Sequence, residues 1–92
     1  MTSDIMYKRK KNIVFHNVEN HIYILDENKR AVYALNKTAS EIWMLLRSAK
    51  SQKEIEQFLF RTYDVSLKTI RKDLSNLLSR YQKRNLIDSF RK

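Results

Sequence analysis

His16 and His21 are the residues of this 92-residue chain best equipped to hold a metal ion or move a proton, yet the sequence gives them few partners. There is no cysteine, and no carboxylate stands at metal-ligand spacing from either histidine. Two histidines on neighbouring strands read as ordinary strand residues, so no metal site is expected. Asp26-Glu27 falls where a turn needs polar groups. Asp73 shares a helix with Lys72 and Arg80, where surface ion pairing is its default role. No Ser-His-Asp or Cys-His set can be assembled, so the expectation is no catalytic residue and no enzyme. Glycine is also absent. A phosphate-cradling loop or dinucleotide fingerprint needs glycine for positive φ and close backbone approach, so no cofactor of that kind is expected.

Binding chemistry remains. The net charge is +9, from 19 Lys+Arg against 10 Asp+Glu. Such a balance fits nucleic acid, an anionic peptide or a membrane surface, but equally a set of solvated faces. Basic residues gather in the C-terminal half: Lys68, Arg71, Lys72, Arg80, Lys83, Arg84, Arg91 and Lys92. On a DNA-reading helix, Lys72, Ser75, Asn76 and Ser79 would face outward, a composition that also suits plain solvent. Met44, Leu45 and Phe60 point away from the apolar stripes and could contribute a partner contact.

The elements that must position these groups follow from periodicity. Residues 1–9 read as a flexible basic arm, and 10–90 as a single domain. "KNIVFHNV" (11–18), "HIYILD" (21–26) and "AVYAL" (31–35) read as three short strands joined by turns at Glu19-Asn20 and 27–30. This is an antiparallel meander with its third strand at an edge. Three helices follow. The first runs from about Lys37 to Ser48, with Asn36 or Thr38 as N-cap, and buries Ala39, Ile42, Trp43 and Leu46. A capping box, Ser51-x-x-Glu54, opens the second, whose inward face is Ile55, Phe58, Leu59 and Thr62. Ser66 caps the third, with Ile70, Leu74, Leu77, Leu78 and Tyr81 as its stripe. Asn85 stands at the left-handed C′ position, and "LID" (86–88) reads as a short returning wing strand. The fold class is α+β: a three-stranded antiparallel sheet followed by three helices, winged helix-turn-helix-like. No apolar run reaches membrane-spanning length and no secretory signal is visible, so the expected location is the cytoplasm.

"VYALNKTASEIWMLL" (32–46) resembles the strand-to-helix junction of the PqqD-like family, the small peptide chaperones of modified-peptide biosynthesis. Leu35, Asn36, Thr38, Ala39, Ile42 and Trp43 match the family's Leu-Asn-x-Thr-Ala-x-x-Ile-Trp. Further matches are Ile55, Leu59, Tyr63-Asp64-Val65, Asp73-Leu74, Leu77-Leu78 and Leu86-Ile87. The family's glycines before the second helix and before the final Leu-Ile are replaced by Ala49-Lys50 and Asn85. The resemblance implies a RiPP recognition element, which binds the leader of a ribosomally made precursor peptide and presents it to other enzymes. It implies that the leader adds as a strand along Arg30, Ala31, Val32, Tyr33, Ala34 and Leu35 and packs on the third helix. Arg71, Leu74, Ser75 and Leu78 are the expected groove residues, with Asp73 as second choice. The implied partners are a separate leader peptidase and cyclase of lasso-peptide biosynthesis, or a radical modifying enzyme of the pyrroloquinoline quinone type. An open edge strand also permits self-pairing into a homodimer. The alternative is a small winged-helix DNA-binding protein.

Overall fold

The structure is a computed structural model that describes residues 5–91. Its elements run β1 (Ile5–Arg9), β2 (Val14–Val18), β3 (His21–Asp26), β4 (Ala31–Ala34), α1 (Lys37–Leu45), β5 (Lys50–Ser51), α2 (Gln52–Thr62), α3 (Leu67–Lys83) and β6 (Ile87–Arg91). The strands form two antiparallel sheets, ordered β2-β3-β4 and β5-β1-β6. The meander is therefore as expected, with β4 at an edge. What differs is the arm. From Ile5 onward it is a strand that pairs with β6 and β5, while residues 1–4 lie outside the described residues. Likewise "LID" is the start of a five-residue strand. β1 escapes a sequence reading because its partners lie more than 40 residues away in the chain and its own five residues hold two charges.

Local chemistry explains the turns that a glycine-free chain must make. Glu19 and Asn20 both take positive φ, 52° and 69°, the geometry of a two-residue hairpin turn. The Asn17 side chain accepts from the Asn20 N–H and steadies that turn. Arg30 (φ 49°) and Asn85 (φ 57°) enter the same left-handed region; Asn85 closes α3 as expected. Asn36, not Thr38, caps α1, its side chain accepting from the Ala39 N–H at 2.8 Å. The Ser51–Glu54 box opens α2 with both of its reciprocal bonds, and Ser66 caps α3. α1 stops at Leu45, shorter than the run to Ser48, and Thr62 is exposed rather than inward.

One core joins the layers. Ile22 and Ile24 of β3, Ile42, Trp43 and Leu46 of α1, Ile55 and Leu59 of α2, and Ile70, Leu74, Leu78 and Tyr81 of α3 are all buried. Trp43 sits at its centre, edge-on to Phe15 at 5.7 Å and to Tyr81 at 5.6 Å. The Tyr81 hydroxyl donates to the Ala39 carbonyl at 3.0 Å, tying α3 to α1. Arg9 holds β1 to this core, its guanidinium lying over the rings of Phe15 and Trp43 at 4.9 and 5.5 Å. Burial, and then the neighbouring Arg47, push the Arg9 pKa below its usual value.

Candidate functional site

β4 is short, and its hydrogen-bond polarity can be read from one bond. The Leu35 N–H donates to the Ile22 carbonyl at 2.9 Å, continuing the register that pairs Tyr23 with Ala34 and Ile24 with Tyr33. Peptide groups alternate in direction along an antiparallel strand. Ala31, Tyr33 and Leu35 therefore point their N–H and C=O at β3, and Val32 and Ala34 point theirs outward.

Ser40 closes the inner ladder where the strand runs out. Its hydroxyl accepts from the Ile22 N–H at 2.9 Å and donates to the Leu35 carbonyl at 3.3 Å. The residue is 2% exposed, so these two backbone groups have no water in its place. The α1 side chain thus finishes a sheet rung, which is why the chain can leave β4 and enter a helix within three residues.

Beside the end of β4 lies a groove of about 560 Å³ between the strand, α1 and α3. Ala34 and Leu35 border it on the strand side; Ile70, Leu74 and Leu77 supply apolar floor; Asp73, Asn76, Arg80 and Arg84 line its α3 flank. Arg84 leans over the Tyr33 ring at 4.2 Å. Neither Arg80 nor Arg84 forms an ion pair among the described residues, so the groove presents two arginines against one carboxylate. At its far wall Tyr63 donates to the Glu41 carboxylate. That bond, more than burial, raises the Tyr63 pKa. A second groove of about 550 Å³ lies on the other side of α1, lined by Met44, Leu45, Lys37, Arg47 and Lys50. It meets the meander mainly at Asn17, Asn20 and Ile22 and touches no residue of β4.

The sequence-expected residues divide accordingly. Ala34, Leu35, Leu74 and the second-choice Asp73 meet at the groove, while Arg30, Ala31, Val32 and Tyr33 lie along the strand that leads to it. Arg71 and Ser75 do not line this groove. Arg71 Nε donates to Glu56 at 3.2 Å, and Ser75 accepts from Gln52 at 2.9 Å, so both face α2. Leu78 is 2% exposed and belongs to the core. A helical wheel identifies the buried stripe of α3 but not which neighbour stands on each side of it. Asn76, Arg80 and Arg84 were missed as groove residues. Their signal was their spacing with Asp73, which puts 73, 76, 80 and 84 on one flank. His16 and His21 are exposed on β2 and β3, and no group of three potential metal ligands occurs among the described residues. Met44 and Phe60 are exposed, and no helix among the described residues is long and apolar enough to cross a membrane.

Solved structures share this fold. TbiB1 in complex with the TbiA(β) leader peptide is similar at a TM-score of 0.79 and 23% identity, over 88% of this chain and 94% of that one. A lasso peptide synthetase B1 complexed with the leader peptide gives a TM-score of 0.77 at 21% identity, over 89% and 96%. The PqqD truncation of Methylobacterium extorquens PqqCD, a stand-alone RiPP recognition element, gives 0.72 at 18% identity, over 90% and 88%. These likenesses establish the fold. No curated protein matches the sequence. The model of the family described as coenzyme PQQ synthesis protein D matches residues 22–87, from the middle strand of the meander through α3 to the first residue of β6. With the last two strands of the meander, the capped junction and all three helices inside that match, the chain belongs to the PqqD family.

Proposed function

We propose that this chain is a non-catalytic recognition protein of the cytoplasm that binds the leader of a ribosomally made precursor peptide by strand addition along β4. The observation that carries the reading is the pairing of an unblunted edge with a groove. Val32 and Ala34 turn their peptide groups outward, no proline interrupts β4, and the apolar floor of the groove begins where the strand ends. An extended peptide on such an edge gains backbone hydrogen bonds, while alternate side chains find pockets. The proposed contacts are Arg30 to Leu35 with Asp73, Leu74, Asn76, Leu77, Arg80 and Arg84; Arg71, Ser75 and Leu78 are left out. α2 and α3 act as the helix-turn-helix-like pair and β1 with β6 as the wing, a scaffold turned to peptide rather than to duplex.

The leader-bound B1 structures of similar fold favour lasso-peptide biosynthesis, with a separate leader peptidase and cyclase, over a radical enzyme as the system served. Self-pairing through β4 would occupy the same edge and compete with the leader. The deciding experiment is a fluorescence-polarisation titration with the leader of the precursor encoded beside this chain. A Kd of about 1 μM or tighter is expected. Absence of binding, together with a sequence-specific duplex site that survives physiological salt, would favour the DNA alternative instead.

A further inference from the structure

The β2-β3-β4 sheet has a second edge, at β2. The two-residue turn at Glu19-Asn20 requires the pair that closes it, Val18 and His21, to exchange hydrogen bonds. By alternation Val14, His16 and Val18 point their peptide groups at β3, and Phe15 and Asn17 point theirs away from it. Neither the Phe15 nor the Asn17 backbone bonds to another element among the described residues. Such edges are ordinarily blunted by charge, proline or a bulge. The edges of the other sheet carry Lys50 on β5 and Asp88 and Arg91 on β6. Val14–Val18 holds no charge and no proline, and its register is unbroken. The surrounding charge is unusual as well. Between Lys11 and Lys29 there is no lysine or arginine, while three of the ten acidic residues, Glu19, Asp26 and Glu27, fall there. The β2-β3 hairpin is thus an acidic stretch in a chain of net charge +9.

We propose that two copies of this chain join by antiparallel pairing of β2 with β2 about a two-fold axis at His16, fusing two three-stranded sheets into one. The sequence of β2 is complementary to itself in that register. With His16 opposite its own copy, Phe15 faces the partner's Asn17, and each such pair exchanges both of its hydrogen bonds. Val14 lies against the partner's Val18. These valines are 43% and 53% exposed in the single chain, and together they form an apolar cross-strand pair. Exposed Lys11, just before β2, comes toward the partner's exposed Glu19, just after it, so opposite charges meet at both ends. Only this register pairs the whole of Val14–Val18. The contact is small, so the dimer is weak and half-formed at about 10–100 μM. β4 lies at the opposite edge and stays free, so one dimer carries two leaders. That last consequence rests on the peptide-binding reading above; the dimer itself does not.

The chain has no cysteine, so introduced cysteines report the register. Residues that turn their peptide groups away from a pairing sit about 4.5 Å apart between Cα atoms, within disulfide reach. On mild oxidation His16→Cys should cross-link to a dimer, as should an equimolar mixture of Val14→Cys and Val18→Cys. Val14→Cys alone, and Val32→Cys on β4, should stay monomeric. Sedimentation velocity across the concentration range above should show the wild type passing from monomer to dimer. His16→Lys, which sets two ammonium groups at the axis, should raise the midpoint about tenfold or more and leave leader affinity within about twofold. Should that variant melt early, the cysteine mixture decides alone. A wild type that stays monomeric throughout, with no His16→Cys cross-link, would overturn the proposal. So would a dimer that the leader dissolves, which places the joint at β4, or cross-linking of Val14→Cys alone to the same extent as the mixture. If His16→Cys cross-links while neither it nor the wild type takes up leader, the dimer stands and the peptide reading falls.

Discussion

The Ser40 hydroxyl serves two buried backbone groups, the Ile22 N–H in β3 and the Leu35 carbonyl just past β4. Ser40→Ala leaves both groups buried and unpaired. Each costs roughly 1–3 kcal/mol, so chemical denaturation should show a loss of that order or more, with leader affinity falling as the end of β4 frays. Charge at the groove acts differently. Arg80 and Arg84 line it without ion pairs among the described residues, whereas Arg71 is bound to Glu56 on the α2 side. For an acidic leader, Arg80→Glu and Arg84→Glu should slow association and flatten its salt dependence in stopped-flow measurements. Arg71→Glu should leave the on-rate near wild type and instead destabilise the fold, because Glu56 is only 8% exposed and would face a second carboxylate. This exchanges the roles that the sequence assigned to the two flanks. Residue types and their spacing showed two flanks on α3; only the position of α2 decides which is free.

At the scale of the element, β4 makes a claim that proline can test. Tyr33 points its N–H at β3 and Ala34 points its N–H outward, a phase set by the Leu35 to Ile22 bond. Ala34→Pro should therefore fold with a wild-type circular dichroism spectrum and lose leader binding by roughly 1–3 kcal/mol or more. Tyr33→Pro removes an inner rung and should lose the sheet. If folded Ala34→Pro binds leader at full strength, strand addition is the wrong mode. The meander, the Ser51 box, the Ser66 cap and the stripe of α3 were all legible because each is written in contiguous residues. Their signals are a two-residue alternation, a capping pair and a helical period. β1 was not legible. Its five residues pair with Ile87–Arg91 and with Lys50–Ser51, and no local pattern announces partners so far away. The positive φ of Arg30 was equally silent, since arginine is a residue for which that region carries no expectation.

For the whole molecule, α3 is fastened to α1 by a phenol that burial keeps from ionising: the Tyr81 pKa is driven well above its ordinary value, with Arg80 and Arg84 opposing the shift only in part. The sign follows directly. The unfolded chain releases this proton near pH 10 while the folded chain retains it, so stability is full below that pH and declines as pH rises through it. The slope is about 1.4 kcal/mol per pH unit for this group. Urea midpoints measured from pH 8 to 11 should fall for the wild type and fall less for Tyr81→Phe, which starts lower because the bond to Ala39 is gone. The ladder that sets Ile5 opposite Arg91 imposes an order of events as well. Joining residues so far apart closes a loop of nearly the whole chain, and such contacts form slowly. The meander and helices are built from neighbours in sequence and can assemble first. β1 can meet β5 early, but its longer ladder must wait for β6, and in that interval the charges of Lys8 and Arg9 disfavour pairing of the open edge with a strand of another molecule.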